Sequence, residues 1–259
     1  MAATATARCC SSGVEMDKPV MLITGGTGAI GRVIASQALQ TGWRVALHGR
    51  TAASVAQALA GLEAADATGF NVDMATPGAA ASLIAQTAAW GGQIDAVVDC
   101  LAAGPKARLT GPFSGTEPDA YAALLDLSAA HVQRLAHAAL PWLSKQGGTF
   151  IAFASDAGRF AAPRQALIGA SRAAIMGFVR NLALEVARDG VRAHCISPSF
   201  VDGTRTAAHN PARLEQARAR AGLGLPTPAD IAPLVLFLCG EGARRITGQI
   251  ISVNGGLNA

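Results

Sequence analysis

The sequence predicts an α/β fold, a doubly wound parallel sheet of about seven strands with helices on both faces. Short continuous apolar runs alternate with longer segments of helical periodicity from residue 20 to the end of the chain. Such runs are typical of parallel strands, because both of their faces are buried. A glycine-rich turn follows the first run, and 51% of the residues are hydrophobic while only 15% are charged. These proportions indicate a large, well-buried core rather than a disordered chain.

The predicted elements follow one another in strict alternation. In the first half we predict strands at 20–23, 43–47, 70–72 and 94–99, and helices at 30–41, 52–62, 78–90 and 121–143. Later in the chain, Asp189-Gly190 ends a long helix, since glycine readily takes the left-handed conformation that follows a helix. In the second half we predict strands at 149–154, 191–197 and 250–253, helices at 165–187 and 228–239, and short polar helices over 210–223.

Residues 18–259 are expected to form a single domain, because no repeat or internal boundary interrupts the pattern. Residues 1–17 contain no continuous hydrophobic stretch of the kind found in signal peptides, and we expect a flexible tail there. The longest apolar runs, such as 231–239, are much shorter than a membrane span, so no membrane partner is expected. The five cysteines show neither zinc-ligand spacing nor the even count of a disulfide framework, which indicates a reducing, cytoplasmic location.

The formal net charge of +4 comes from arginines that are scattered and interleaved with acids. A nucleic-acid surface would require clustering on one face, so a solvated basic surface is the better interpretation. This charge balance remains compatible with an anionic small-molecule substrate.

The strongest local motif runs from Thr24 to Gly31, between the first predicted strand and the first predicted helix. Glycines there let the backbone approach a pyrophosphate, whose charge the helix N-terminus stabilises. The alternative is a structural turn that binds no ligand. The residues expected to contact a dinucleotide are Gly25, Thr27, Gly28, Ile30 and Gly31.

In this strand–turn–helix context, residues 20–256 resemble the short-chain dehydrogenase/reductase family, whose single domain is a Rossmann-like fold. The spacing TGGTGAIG is more similar to the TGxxGxxG of extended members than to the usual TGxxxGxG. The resemblance implies a nicotinamide dinucleotide whose adenine lies near Asp73 and Met74. It also implies that Val201, in the segment ISPSFV, contacts the nicotinamide end.

The segment His48-Gly49-Arg50 predicts which dinucleotide is preferred. By this resemblance Gly49 occupies the position of the acid that binds a ribose 2′-hydroxyl. Arg50 can make a bidentate contact with a 2′-phosphate, which favours NADP(H). The alternative is an exposed loop arginine.

The resemblance also locates a catalytic group that departs from the family's pattern. Ser155 matches the family's serine, but Ile168 stands at the tyrosine position and Arg172 at the lysine position. Ser128 stands where the family has an asparagine. Isoleucine transfers no proton, whereas arginine stays charged and can hold a ribose hydroxyl. The candidate catalytic residues are therefore Ser155, Arg172 and Ser128.

Two functions remain open at this point. The first is an NADP(H)-dependent reductase of a carbonyl or imine, with atypical or impaired catalysis. The second is a non-catalytic NADP(H)-binding homologue that acts as a silent or regulatory subunit of an oligomer. Residues 247–256, TGQIISVNGG, resemble the C-terminal segment of the family's sequences. The resemblance implies a homotetramer or homodimer, or a mixed oligomer with an active homologue. Charged residues that could bind an anionic substrate, but that are more often surface residues, are Lys106, Arg108, Asp156, Arg159, Arg164 and Arg205.

Overall fold

Seven parallel strands form one sheet in the order β3-β2-β1-β4-β5-β6-β7. The computed structural model describes residues 18–62, 65–101, 107–208 and 211–258, so the predicted tail at 1–17 lies outside the described residues. This architecture confirms the predicted fold class. The strands are β1 Val20–Thr24, β2 Arg44–Gly49, β3 Ala67–Asn71, β4 Ala96–Asp99, β5 Thr149–Phe153, β6 Arg192–Pro198 and β7 Ile250–Val253.

Helices connect the strands and cover both faces of the sheet. They are α1 Ala29–Gln40, α2 Ala52–Ala60, α3 Ala79–Gly91, α4 Tyr121–Leu125, α5 His131–Gln146, α6 Ala166–Val186, α7 Arg205–Ala208, α8 Pro211–Arg220 and α9 Pro228–Cys239. The prediction of one regular helix over 121–143 was wrong in detail, because a π-helical turn at Asp126–Ala130 joins α4 to α5. The third strand begins three residues before its predicted start, since Ala67 pairs with Val45 although its neighbours are small or polar.

The sheet separates two apolar cores. One contains alternate strand residues such as Leu22 and Phe150 and packs against α3, α5 and α6. The other contains the intervening strand residues, such as Ile23 and Ile151, and packs beneath α1 and α9. Successive side chains of a strand point to opposite faces, so one continuous apolar run supplies both cores. Each fully buried aliphatic side chain contributes about 1.5–3 kcal/mol, and these two layers hold the strand ends in place.

One helical segment, Ala166–Asp189, is long and apolar enough to cross a membrane by length and composition alone. The sequence prediction had not singled it out. In the fold, one face of this segment is buried in the first core through Ile175, Val179 and Ala183.

The order of the strands reverses direction between β1 and β4, which are neighbours in the sheet. Their register aligns Thr24 with Asp99, the last residue of each strand. In open parallel sheets a crevice forms outside the carboxyl ends of the strands at such a reversal, and ligands bind there. The loops that follow Thr24 and Asp99 therefore border the expected ligand crevice.

The buried histidine of β6 is expected to make stability depend on pH. His194 is fully buried, and neither ring nitrogen makes a hydrogen bond of good geometry among the described residues, although the Ile246 backbone opposes part of the lowering of its pKa. Burial lowers its pKa from 6.5 to about 4, so the folded state takes up the proton at lower pH than the unfolded state does. The stability supplied by the neutral ring is thus lost as pH falls from about 6.5 to about 4, by up to about 3 kcal/mol.

Urea unfolding at pH 7 and pH 4.5 measures this dependence. His194→Leu should reduce the difference in unfolding free energy between the two pH values. The matched control is His137→Leu, since the His137 side chain is exposed. Equal pH dependence in both variants and the parent would contradict the prediction.

Candidate functional site

The glycine-rich loop lies against the end of β4. Gly25 has φ +64, and a Cβ built on it would stand 2.9 Å from the carbonyl oxygen of Cys100. Only glycine combines that conformation with this close approach. Gly28 is the N-cap of α1, and no acidic residue occupies the first turn of the helix. The amide groups at this helix N-terminus can therefore bind an anion in the crevice.

His48 joins three segments around this loop. The Gly25 amide donates to His48 Nδ1 at 3.2 Å, and His48 Nε2 donates to the Val72 carbonyl at 2.8 Å. Because an amide only donates and a carbonyl only accepts, the neutral tautomer with hydrogen on Nε2 satisfies both contacts. The ring, which is buried, connects the loop, β2 and the segment that leads to Asp73.

A second buried network lies at the ends of β1 and β4. Thr24 donates its hydroxyl hydrogen to Asp99, and His131 Nε2 lies 3.2 Å from the same carboxylate oxygen. The Leu101 amide donates to that oxygen at 3.3 Å. Burial alone would raise the pKa of Asp99, but His131 and these donors hold it below its ordinary value. Asp99 is therefore an ionised, fully buried anchor directly behind the glycine-rich loop.

The segment after β5 is fixed by a buried carboxylate. Asp156 Oδ1 accepts from Ser197 at 3.0 Å and from Ser252 at 2.8 Å. Its Oδ2 accepts from Asn254 at 2.6 Å and from Asn258 at 3.3 Å. These bonds tie the turn that carries Ser155 to β6, β7 and the C-terminal segment, so the position of Ser155 is set by three separate parts of the chain.

Ser155, Ile168 and Arg172 line one cavity of about 690 Å³. Ile168 and Arg172 are one turn apart on α6, and α6 approaches the Ser155 turn closely. A Cβ built on Gly158 would stand 2.6 Å from the Ala173 nitrogen. Burial lowers the pKa of the Arg172 guanidinium, while Asp99 acts in the opposite direction. The side chain nevertheless stays cationic, because an arginine pKa begins far above neutrality.

The structure brings most of the predicted site residues together. Ile30, Val201 and Arg172 line the same cavity as Ser155, and Gly25, Thr27, Gly28 and Gly31 form the adjoining loop or helix start. Arg50 and Asp73 are exposed after β2 and β3, whereas the Met74 side chain is part of the first core.

Ser128 is not brought to this cavity. Its side chain is buried in the π-helical turn, and its hydroxyl donates to the Leu124 carbonyl at 2.6 Å. Among the six charged residues named from the sequence, Arg164 and the buried Asp156 line the cavity. Lys106 lies outside the described residues, while Arg108, Arg159 and Arg205 are exposed and do not line this cavity.

Sequence reasoning missed His48, Asp99 and His131 as parts of the site. A usable signal was present for two of them, because His48 and Asp99 are polar residues at the carboxyl ends of predicted apolar strands. No comparable signal marked His131, which lies within a helix 32 residues after its partner.

A family model described as Enoyl-(Acyl carrier protein) reductase matches residues 26–258. The chain belongs to the short-chain dehydrogenase/reductase family. Its relatives include the bovine protein named dehydrogenase/reductase SDR family member 4, with 29% identity, 93% coverage of this chain and 88% of the relative. The uncharacterized oxidoreductase YmfI of Bacillus subtilis is 30% identical, with 91% and 97% coverage. The crystal structure of the TT0495 protein from Thermus thermophilus matches with a TM-score of 0.81 and 27% identity, over 93% of this chain and 99% of that one.

The family binds nicotinamide dinucleotides, and the contacts of His48 predict how that binding depends on pH. Protonation of Nδ1 would set an N–H against the Gly25 amide and remove one loop contact. Burial lowers the pKa of His48, opposed by the Val72 carbonyl, Asp99 and Asp73, while His131 also lowers it. The neutral ring therefore predominates at pH 7, and the loop contact is lost as pH falls through this lowered pKa.

We expect NADPH to bind His48→Phe about threefold to tenfold more weakly than the parent at pH 7.5, since a hydrogen bond contributes about 0.5–1.5 kcal/mol. The difference should be smaller at pH 5 than at pH 7.5, because the protonated fraction of the parent's ring rises as the pH falls. Fluorescence titration of NADPH at both pH values measures this, and His137→Phe, at an exposed position, is the control. Unchanged affinity in His48→Phe would rule out a positioning role.

Proposed function

We propose that this protein is an NADP(H)-dependent reductase of a small carbonyl or imine substrate that works without the family's tyrosine. The observation that carries the proposal is the shared cavity of Ser155, Ile168 and Arg172 beside the glycine-rich loop. The dinucleotide, when bound, supplies the hydride. The chain's own residues must bind and orient the substrate, stabilise its developing charge and admit a proton.

The packing around Gly49 supports the preference for NADP(H). A Cβ at this position would stand 2.5 Å from the Thr27 methyl carbon and 2.9 Å from a Val55 methyl carbon. The acid that would bind a ribose 2′-hydroxyl therefore has no room here unless its neighbours shift. The next residue, Arg50, is exposed at the carboxyl end of β2, where a guanidinium can reach a 2′-phosphate.

The roles of the cavity residues follow from their chemistry. Ser155 can donate a hydrogen bond to the substrate oxygen or nitrogen, and Arg172 provides a fixed positive charge nearby. The Ile168 side chain has no acidic proton to transfer. The one tyrosine of the chain, Tyr121, has its hydroxyl 2.5 Å from the Thr116 hydroxyl and does not line the cavity. Water is then the proton source, and the absence of a general acid lowers the rate by about 10²–10⁴.

The isoleucine at position 168 also allows a second candidate function. In that case the chain binds NADP(H) without turnover and serves as a silent or regulatory subunit beside an active homologue. The two functions differ in one measurable respect, since only the reductase oxidises NADPH when a carbonyl or imine is supplied.

For assembly we propose a homotetramer or homodimer in the cytoplasm. Leu184 on α6 is 81% exposed and Phe237 on α9 is 48% exposed, so both are available for contact with a second subunit. Exposed large apolar side chains favour contact with a second subunit when they form part of a patch. The free, buried thiols of Cys195 and Cys239 are compatible with a reducing compartment.

Replacing Arg50 tests the dinucleotide preference. The parent should bind NADPH at least several-fold more tightly than NADH, because only NADPH presents a 2′-phosphate to the guanidinium. Arg50→Ala should remove most of that preference and leave the affinity for NADH unchanged. Fluorescence titration with both dinucleotides gives the ratio, and a preserved ratio would show that Arg50 is only a surface residue.

Restoring the family's pair tests the catalytic interpretation. Ile168→Tyr with Arg172→Lys should raise the NADPH-dependent reduction of generic ketones by about 10²-fold or more, since a general acid is regained. Ile168→Tyr alone should do less, because arginine differs from lysine in reach and donor geometry. The inward-facing Ser128 is expected to limit the gain.

Adding Ser155→Ala to the double variant is the control and should remove most of the gained activity. A double variant that binds NADPH but reduces nothing across a broad carbonyl panel would favour the non-catalytic function.

A further inference from the structure

The cavity beside Ser155 is lined by more cationic than anionic side chains. Four arginines line it, namely Arg164, Arg172, Arg213 and Arg220. Among its described lining residues the only carboxylate is that of Asp156. Both oxygens of that carboxylate already accept hydrogen bonds from Ser197, Ser252, Asn254 and Asn258, and the residue is 1% exposed. The acid is therefore committed to holding the fold, and the cavity presents a positive surface.

The arginines of helix α8 lie on different faces of the helix. Arg213, Gln216, Ala217 and Arg220 follow the spacing i, i+3, i+4, i+7 and all line the cavity. Arg218 lies off that face and is paired with Asp202 at 2.7 Å and with Glu215. The acids near this helix thus neutralise the arginine that points away from the cavity. Within the described parts of the chain, no carboxylate forms an ion pair with Arg164, Arg172 or Arg220.

Arg164 is held at the cavity by an unfavourable backbone conformation. Its φ of 64 is the one positive value for a non-glycine among the described residues. A left-handed conformation costs such a residue about 1–2 kcal/mol. The Gly111 amide donates to the Arg164 carbonyl at 2.9 Å, and Arg213 donates to the neighbouring Pro163 carbonyl at 3.4 Å. These contacts fix the loop that carries Arg164 against α8.

These arginines lie away from the groups expected to bind the phosphates of the dinucleotide. The glycine-rich loop and Arg50 follow β1 and β2, on one side of the strand reversal. Arg164 follows β5 and α8 follows β6, on the other side. Phosphates bound at the loop would therefore lie on the other side of the reversal from Arg164 and Arg220, which are left able to bind a different anion.

We infer that the cavity takes a substrate with its own carboxylate or phosphate group, bound at the α8 end by Arg220 and Arg164. This inference rests on the proposed reductase function. The apolar lining, which includes Phe160, Phe200 and Leu257, packs against the rest of a small molecule. The arginine forks match a carboxylate or a phosphate in bidentate geometry. Arg172, beside Ser155, remains near the reacting carbonyl or imine.

Binding of matched anionic and neutral ligands tests this directly and needs no turnover. Protein saturated with NADP⁺, which has no hydride to transfer to a ketone, is titrated calorimetrically with 4-oxopentanoate and its methyl ester, and with dihydroxyacetone phosphate and dihydroxyacetone. We expect the anionic member of at least one pair to bind about tenfold more tightly or better. The 4-oxopentanoate pair tests a carboxylate, and the dihydroxyacetone phosphate pair tests a phosphate. Higher ionic strength should reduce the preference for the anionic ligand in either pair.

Arg220→Gln and Arg164→Gln should each lower the anionic preference several-fold, and the double variant should remove it. Arg218→Gln is the matched control, because this arginine lies on the same helix but is paired with acids away from the cavity. Circular dichroism and an unchanged NADPH affinity establish that each variant is folded. Equal affinities for charged and neutral ligands, with NADP⁺ bound, would overturn the inference and leave the reductase proposal standing.

Failure to bind NADPH would instead overturn the proposed function. In that case the same ligand pairs are titrated into the protein without dinucleotide. Tighter binding of the anionic ligand that depends on Arg220 and Arg164 upholds the inference. Equal binding of the charged and neutral ligands overturns the inference.

Discussion

The carboxylate of Asp156 is the interaction on which the geometry of the candidate site depends. A buried carboxylate without partners is strongly unfavourable, and here four side-chain donors supply the required hydrogen bonds. Hydrogen bonds to charged groups contribute about 1.5–3 kcal/mol each, so removing the acceptor would leave several buried donors unsatisfied. Because these donors come from β6, β7 and the C-terminal segment, the same contacts that stabilise the fold also set the position of Ser155.

A second buried carboxylate, Asp99, has the corresponding role on the dinucleotide side of the site. It holds Thr24 at the start of the glycine-rich loop and His131 in the helix behind it. His48 continues this polar layer toward the segment after β3. The two carboxylates thus organise two adjoining regions, a loop suited to phosphate and a cavity suited to substrate. Each accepts hydrogen bonds from distant parts of the chain, and these bonds hold the segments at the carboxyl edge of the sheet together.

The positive charge of the cavity and the isoleucine at position 168 are consistent with the same proposed function. Cys100 lines the cavity, but burial raises the pKa of its thiol well above the ordinary value. The arginines remain protonated at neutral pH and can stabilise an anion, yet they release no proton. We propose that a site of this composition stabilises charge that develops on the substrate and takes the proton from solvent. That is the physical basis for proposing a reductase with altered catalysis and an anionic substrate.

The sequence by itself determined the fold class, because unbroken apolar runs separated by amphipathic segments leave a covered parallel sheet as the stable arrangement. It also placed the glycine-rich loop and the bounds of elements such as Pro228–Cys239, where local capping and periodicity agree.

Tertiary structure decided which residues meet at the carboxyl edge of the sheet. Asp156 meets Asn254 across 98 residues, and Thr24 meets Asp99 across 75, separations at which no local pattern carries information. Ser128 is turned inward from its π-helical turn, and its hydroxyl donates to the carbonyl of Leu124 in α4. Backbone geometry of that kind is set by packing between helices, and the sequence pattern does not record it.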